Sequence, residues 1–204
     1  MIGPKPPTTF YLVRHGESEA NAASRFSGRL DSPLTQRGRA QSLGLAETLA
    51  DVTFDRIVAT PLSRSLDTAL VIARRRKLPV DVVPDLIEID VGERTGKTFD
   101  EVRGLPDWRD DGFVSWPGGE TLEQVLERAL RAMRRLHRET GGARILVVGH
   151  GGVTRILASH YLGILPKLDG SPQRNTAVTV IAVSDDGGRV ERLFGSEHIS
   201  GARF

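Results

Sequence analysis

Short apolar runs alternate along this chain with stretches in which apolar residues recur every three or four positions. Phe10 to Val13, Arg56 to Ala59, Leu78 to Val83, Arg144 to Gly149 and Ala177 to Val183 are too short for helices and rich in aliphatic side chains, which predicts strands. Behind Thr35 as N-cap, Leu43, Ala46, Leu49 and Ala50 keep helical spacing up to Asp51, and Leu66, Ala69, Leu70 and Ala73 do the same behind Thr60-Pro61. The clearest helix opens at a capping box, Thr121 to Gln124, with Leu122, Val125, Leu126, Ala129, Met133 and Leu136 on one face. Val153 to Leu162 predicts another helix, while Glu17 to Ala23 and the box Thr98 to Glu101 predict short ones. A hairpin through Asp185 to Gly188 leads to a last strand near Val190 to Phe194.

Strands alternating with helices predict an α/β fold, a three-layer α/β/α sandwich with a mainly parallel central sheet, built as one domain over residues 1–204. Residues 104–119 mix turn formers with Trp108, Phe113 and Trp116, so a small lid or cap is expected at about 98–120. Gly195 to Phe204 carries no pattern and reads as a loosely draped or disordered tail.

Composition narrows the function classes. A net charge of +2 is too small to indicate a nucleic-acid partner, and the basic run Arg74 to Lys77 closes a predicted helix, where cations complement the dipole. The 204 residues include no cysteine, which excludes disulfides and thiolate metal sites and fits a reducing cytoplasm. The polar, Pro-rich MIGPKPPTT does not resemble a signal peptide, and no segment approaches the roughly 20 apolar residues of a membrane span. A soluble cytoplasmic protein is expected, without nucleic-acid or membrane partners and with a homodimer left open.

The chemistry-bearing residues stand where strands stop. FYLV runs into Arg14-His15-Gly16, the second strand leads into a helix with Arg64 in its first turn, and RILVVG ends in His150-Gly151-Gly152. Parallel strands place their carboxyl ends on one sheet edge, where ligands bind in such folds. Two guanidiniums and two imidazoles brought together there repel one another unless an anion lies between them, and phosphate suits their planar donors. Taken singly, Arg14 also reads as a surface charge and His15 as a satisfied loop histidine; His137, His160 and His198 keep that plain reading. GERTGKT (92–98) resembles a phosphate-binding Walker loop but has one residue too few between its glycines. No HExxH helix is present, and the site histidines lack acidic partners at metal-ligand spacing.

The ordered segments LVRHGESEAN (12–21), RFSG (25–28), SPLTQRG (32–38), TPLSRSLDTA (60–69), LIEIDVGERTG (86–96), PGGET (117–121) and VVGHGG (147–152) resemble the histidine phosphatase superfamily, also called phosphoglycerate mutase-like. The resemblance implies a metal-independent phosphomonoesterase without cofactor, acting on a small-molecule phosphate monoester. His15 would be the nucleophile that becomes phosphohistidine, and Glu88 the acid that protonates the leaving alkoxide. Arg14, Arg64 and a protonated His150 would grip the phosphoryl oxygens, with Asn21, Ser27, Gly28 and Gly151 as further phosphate or substrate contacts. Arg94 stands where the family usually has tryptophan, which puts local packing and substrate choice in question. A cofactor-dependent phosphoglycerate mutase is the nearest alternative, although the stretch from Glu88 to His150 is compact for one. A non-catalytic phospho-ligand binding module is the alternative of another class.

Overall fold

The computed structural model describes residues 5–106, 116–171 and 173–195. Trp108, Phe113 and the middle of the predicted lid lie outside the described residues, as do His198 and the tail beyond Gly195. The strands are β1 (Thr8–Arg14), β2 (Arg56–Ala59), β3 (Val80–Val82), β4 (Arg144–Gly149), β5 (Val178–Ser184) and β6 (Gly187–Gly195). They form one sheet in the order β3-β2-β4-β1-β5-β6. The pairs β1/β4, β2/β4 and β2/β3 are parallel, whereas β5 is antiparallel to both β1 and β6. The helices are α1 (Glu19–Ala22), α2 (Gln36–Thr48), α3 (Ser63–Arg76), α4 (Phe99–Arg103), α5 (Leu122–Thr140) and α6 (Gly151–Tyr161).

Alternation along the central strands assigns each side chain to one of two cores. Phe10, Leu12, Ile145 and Val147 pack with Val125, Met133 and Leu136 of α5 and Ile156 and Leu157 of α6. Val13, Leu146 and Val148 face the other way, against Leu45, Ala46 and Leu49 beside α2 and Ala69 and Ile72 of α3. Both faces of the sheet are thus covered by helices, which explains strands that are apolar at nearly every position. The mixed α/β fold is the three-layer sandwich expected from the pattern. Among the described residues no helix is long and apolar enough to cross a membrane.

Two predicted helix faces are rotated in the structure. On α2 the buried residues are Gly38, Ser42, Leu45 and Ala46, while Leu43 is exposed; on α3 they include Arg64, Ser65, Thr68, Ala69 and Ile72, while Leu70 is exposed. Small hydroxyl residues displace the apolar ones because they fasten the helices to the strand ends. Thr68 Oγ1 accepts from the Gly16 N–H at 3.1 Å and donates to the Arg64 carbonyl at 2.8 Å, with Ser42 Oγ 3.3 Å away. Ser65 Oγ donates to the Val148 carbonyl at 2.7 Å and accepts from Thr60 N–H at 3.0 Å.

Caps explain where most helices start. Thr35, Thr98 and Thr121 each cap as predicted, the last two in reciprocal boxes. Thr60 does not cap α3, which begins three residues later behind Leu62; Asp31 reaches across from the 25–33 turn instead, accepting from Ser63 N–H and Oγ at 2.9 Å each. This frees the Thr60 hydroxyl for His150. His137 keeps its plain reading as a buried tie, with Nδ1 2.9 Å from Thr8 Oγ1 and Nε2 3.3 Å from Asp185 Oδ1.

The turn after β1 requires two glycines for space. A Cβ on Gly16 would collide with the Gly38 carbonyl, and one on Gly38 with the Glu17 backbone. Gly38→Ala is therefore expected to lower stability by about 1–3 kcal/mol through overpacking, seen as a lower urea midpoint with an unchanged slope.

Candidate active site

At the carboxyl edge of β1, β2 and β4 lies a cavity of ≈ 680 Å³ lined by Arg14, His15, Asn21, Ser27, Gly28, Arg64, Glu88 and Gly151. All the site residues predicted from the sequence except His150 therefore line one cavity. His150 stands behind it, fully buried at the N-cap of α6, its ring edge-on to His15 with centroids 5.3 Å apart.

The environment of His15 selects its tautomer. Nδ1 lies 2.6 Å from the Gly16 carbonyl, an acceptor, so this nitrogen carries the proton and Nε2 keeps its lone pair. Burial, then the positive charges of Arg64 and Arg14, hold the imidazole well below the ordinary histidine range. Burial holds His150 down as well, helped by His15, Arg64, Arg128 and Arg14. The protonated His150 expected from the resemblance is thus not the form this cluster of cations favours; a dianion among them would be needed to bring the proton back. His150 Nε2 lies 2.7 Å from Thr60 Oγ1, and Nδ1 is buried without a partner.

Arg64 is 1% exposed. Its Nη1 and Nη2 donate to the carbonyls of Leu30 and Gly28 at 2.9 and 2.8 Å, while Nε has no partner. Burial lowers its pKa, opposed by the charges of Glu88 and Asp31. Arg14 is pinned by one bond, Nη1 to the Gln173 carbonyl at 2.5 Å, and is shifted down by burial too, against the pull of Glu88. Gly28 takes φ +48°, and a Cβ there would sit 2.7 Å from Val91, so the residue that turns its carbonyl toward Arg64 has to be glycine. Asn21 is held by Asn175, whose Nδ2 donates to Asn21 Oδ1 at 3.0 Å and to the His15 carbonyl at 3.1 Å.

Glu88 is held from two directions. Its Oε1 accepts from Ile89 N–H at 3.0 Å and Val153 N–H at 3.3 Å, and Oε2 from Gly152 N–H at 3.3 Å, so the carboxyl sits on the first turn of α6. A Cβ on Gly152 would lie 2.7 Å from Oε1, which accounts for the second glycine after His150. From the other side Arg128 donates to the carbonyls of Asp85, Ile87 and Glu88 at 2.8, 2.6 and 3.2 Å. Glu120 orients Arg128 through bonds of 2.8 and 2.9 Å, pairs with Arg29 at 2.7 Å and accepts from Asp90 N–H at 3.0 Å. Burial pushes the Glu120 carboxyl up, but the bonds from Arg128 and Asp90 win and hold it below its usual range.

Sequence reasoning missed Arg128, Arg29 and Arg155. The first two act over long chain separations that no local pattern reveals. Arg155 lines the cavity and was findable, since it lies one helical turn beyond Gly151. Arg94, the departure from the family pattern, is buried with its guanidinium 5.6 Å from the Trp116 ring centroid. Trp116 in turn packs edge-on against Phe26 at 5.3 Å, and Phe26 against Phe99 at 4.6 Å, forming an aromatic cavity wall. GERTGKT folds back as backbone partner of Phe26, through Phe26 N–H to Lys97 O at 2.9 Å and Gly96 N–H to Phe26 O at 2.7 Å. Among the described residues, no three His, Asp or Glu side chains are grouped so as to hold a metal ion.

This fold is that of the phosphoglycerate mutase-like proteins, and the chain belongs to the histidine phosphatase superfamily (branch 1), whose family model matches residues 10–195. A relative from Arabidopsis thaliana, the metal-independent phosphoserine phosphatase, is 33% identical, covering 97% of this chain and 85% of its own. The solved structure of Bacillus stearothermophilus YhfR superimposes with a TM-score of 0.85 at 32% identity, over 94% of this chain and 99% of that one. Mycobacterial glucosyl-3-phosphoglycerate phosphatase in complex with VO3 superimposes with a TM-score of 0.83 at 27% identity, over 92% and 99%.

Both buried imidazoles bind a proton less readily folded than unfolded. Their contribution to stability is complete above the unfolded pKa of about 6.5 and is lost as pH falls below it toward the depressed folded values. Urea midpoints should therefore drop from pH 7 to pH 5, and by less in His15→Asn, whose amide reproduces the Nδ1 donor without titrating. Arg128→Met is expected to lower kcat by up to about a hundredfold through misplacement of Glu88, with inhibition by inorganic phosphate nearly unchanged.

Proposed function

We propose that the protein is a metal-independent phosphomonoesterase that hydrolyses a small phosphorylated metabolite, such as a sugar phosphate or phosphoglycerate-type acid, through a phosphohistidine on His15. One observation carries this reading: a neutral imidazole with its proton fixed on Nδ1 stands beside the buried guanidinium of Arg64 and the half-buried one of Arg14, neither with an ion-pair partner among the described residues. A nucleophile with an available lone pair and guanidiniums directed at the same cavity are the two halves of phosphoryl transfer. The phosphatase names of the Arabidopsis and mycobacterial relatives support it.

The steps follow from the contacts. A phosphate ester lies with its nonbridging oxygens against Arg14 and the unpartnered Arg64 Nε, with the Nδ1 of His150 behind. His15 Nε2 attacks phosphorus in line; the new N–P bond forms as the ester P–O bond breaks, and the Gly16 carbonyl takes up the positive character arising at Nδ1–H. Glu88 gives its proton to the departing alkoxide. It then takes a proton from water, whose oxygen attacks phosphorus and returns His15 free with inorganic phosphate. Asn21, Ser27, Gly28 and Gly151 shape the wall around the transferred group.

His15→Ala is expected to abolish turnover and labelling by a radioactive phosphate ester, whereas Glu88→Ala slows turnover and leaves phosphate binding largely intact. Assay of phosphate release from a panel of monoesters, run against isomerisation of a phosphoglycerate primed with bisphosphoglycerate, separates the readings. Mutase turnover without phosphate release overturns the hydrolase, and binding with no turnover of any ester favours a sensing module.

A further inference from the structure

Beyond the phosphoryl clamp, the cavity holds two donors that the mechanism does not use. Gln173 is 9% exposed, lines the cavity, and its Nε2 is buried without a hydrogen-bond partner. Buried amide nitrogens are almost always paired, so an orphan on a cavity wall marks a place where a ligand supplies the acceptor. Its backbone carbonyl accepts from Arg14, and its Oε1 packs against Gly151, 3.2 Å from where a Cβ there would be. Arg155 stands one turn along α6 from Gly151, on the same helix face. Its guanidinium lies 5.9 Å from the Phe194 ring centroid and makes one long bond, 3.3 Å, to the Ser171 carbonyl. It forms no ion pair among the described residues, although Asp169 and Glu88 both act on it electrostatically.

We propose that Arg155 and Gln173 form a subsite for a carboxylate carried by the leaving group, so that the preferred substrates are phosphorylated hydroxy acids. The proposal rests on the phosphatase reading and adds the substrate class to it. Arg155 lines the same cavity as Arg14 and Glu88, one turn of α6 beyond the Gly151–Val153 backbone, where Arg14 packs against Gly151 and Glu88 accepts from Gly152 and Val153 N–H. A group bound there belongs to the alcohol half of the ester. One guanidinium and one amide offer planar N–H donors matched to the two oxygens of a carboxylate. A second phosphate dianion calls for the paired guanidiniums that serve the transferred group, and neutral sugar hydroxyls have no use for a cation. Ile156 and Leu168 beside the pair suit a short carbon skeleton.

The experiment compares kcat/KM for substrates that differ at this group: O-phosphoserine against O-phosphoethanolamine, and 3-phosphoglycerate against glycerol 3-phosphate. The wild-type enzyme should favour each acid by about tenfold or more, the scale of a charge-assisted contact. Arg155→Met and Gln173→Leu should each shrink that ratio toward one, mainly by raising KM for the acid, and Gln173→Glu should reverse it by repulsion. Both substrates of a pair are assayed on one preparation, so the ratio does not depend on how much variant folds. Equal rates for acid and non-acid in the wild type, a ratio unchanged in the variants, or a preference for a bisphosphate such as fructose 1,6-bisphosphate over both acids would overturn the subsite. Absence of hydrolysis of every monoester, p-nitrophenyl phosphate included, would instead overturn the phosphatase reading beneath it.

Discussion

A guanidinium withdrawn from water without a carboxylate to meet it is the constraint on which the site depends. Arg64 is buried to 1% exposure, and its two terminal nitrogens are met only by backbone carbonyls. Removing a cation from water costs several kcal/mol even after relaxation, and carbonyl dipoles offset only part of that. The 25–33 segment must therefore be shaped to deliver the Gly28 and Leu30 carbonyls, which is why Gly28 takes a left-handed conformation and why Asp31 anchors the same turn to the start of α3. What remains uncompensated is a positive potential aimed at the sheet edge. It adds to the burial that already lowers the pKa of the neighbouring imidazoles, so the feature that attracts an anion also favours the reactive form of the nucleophile.

The acid is positioned by an opposite arrangement. Glu88 meets backbone N–H groups at the start of α6, while the chain carrying it is drawn in by Arg128 through three carbonyls. Arg128 can serve there because Glu120, in the segment just before α5, takes its charge in a two-point contact. Removing one partner of such a buried pair leaves the other uncompensated, so Glu120, Arg128 and Arg29 act as a unit that orients Glu88 without touching the reacting atoms.

Glycine serves this architecture mainly as absence of volume. Gly16 and Gly38 let the turn after β1 rest on α2, and Gly152 lets α6 come within reach of Glu88. These close approaches connect the three strand ends into one rigid edge. The hydroxyls of Thr68 and Ser65 complete the connection, and they are the reason α2 and α3 bury residues that a count of apolar positions leaves outside.

Much is legible in the amino-acid sequence alone. Strand and helix alternation determined the three-layer fold, because period-two and period-3.6 burial are local properties of the chain. Capping boxes at Thr98 and Thr121 could be read since both partners lie within one helical turn. Arg14-His15, Arg64 and His150 were recognisable as site candidates because each stands just past a strand, where topology alone brings such residues to one edge. The cap of α3 was not legible, since Asp31 reaches Ser63 across 32 residues. Neither were the lowered pKa of His150, the clamp on Glu88, and the orphan amide of Gln173. Each depends on burial and on charges contributed by distant elements, quantities that exist only once the sheet has gathered its strand ends and water has been excluded from between them.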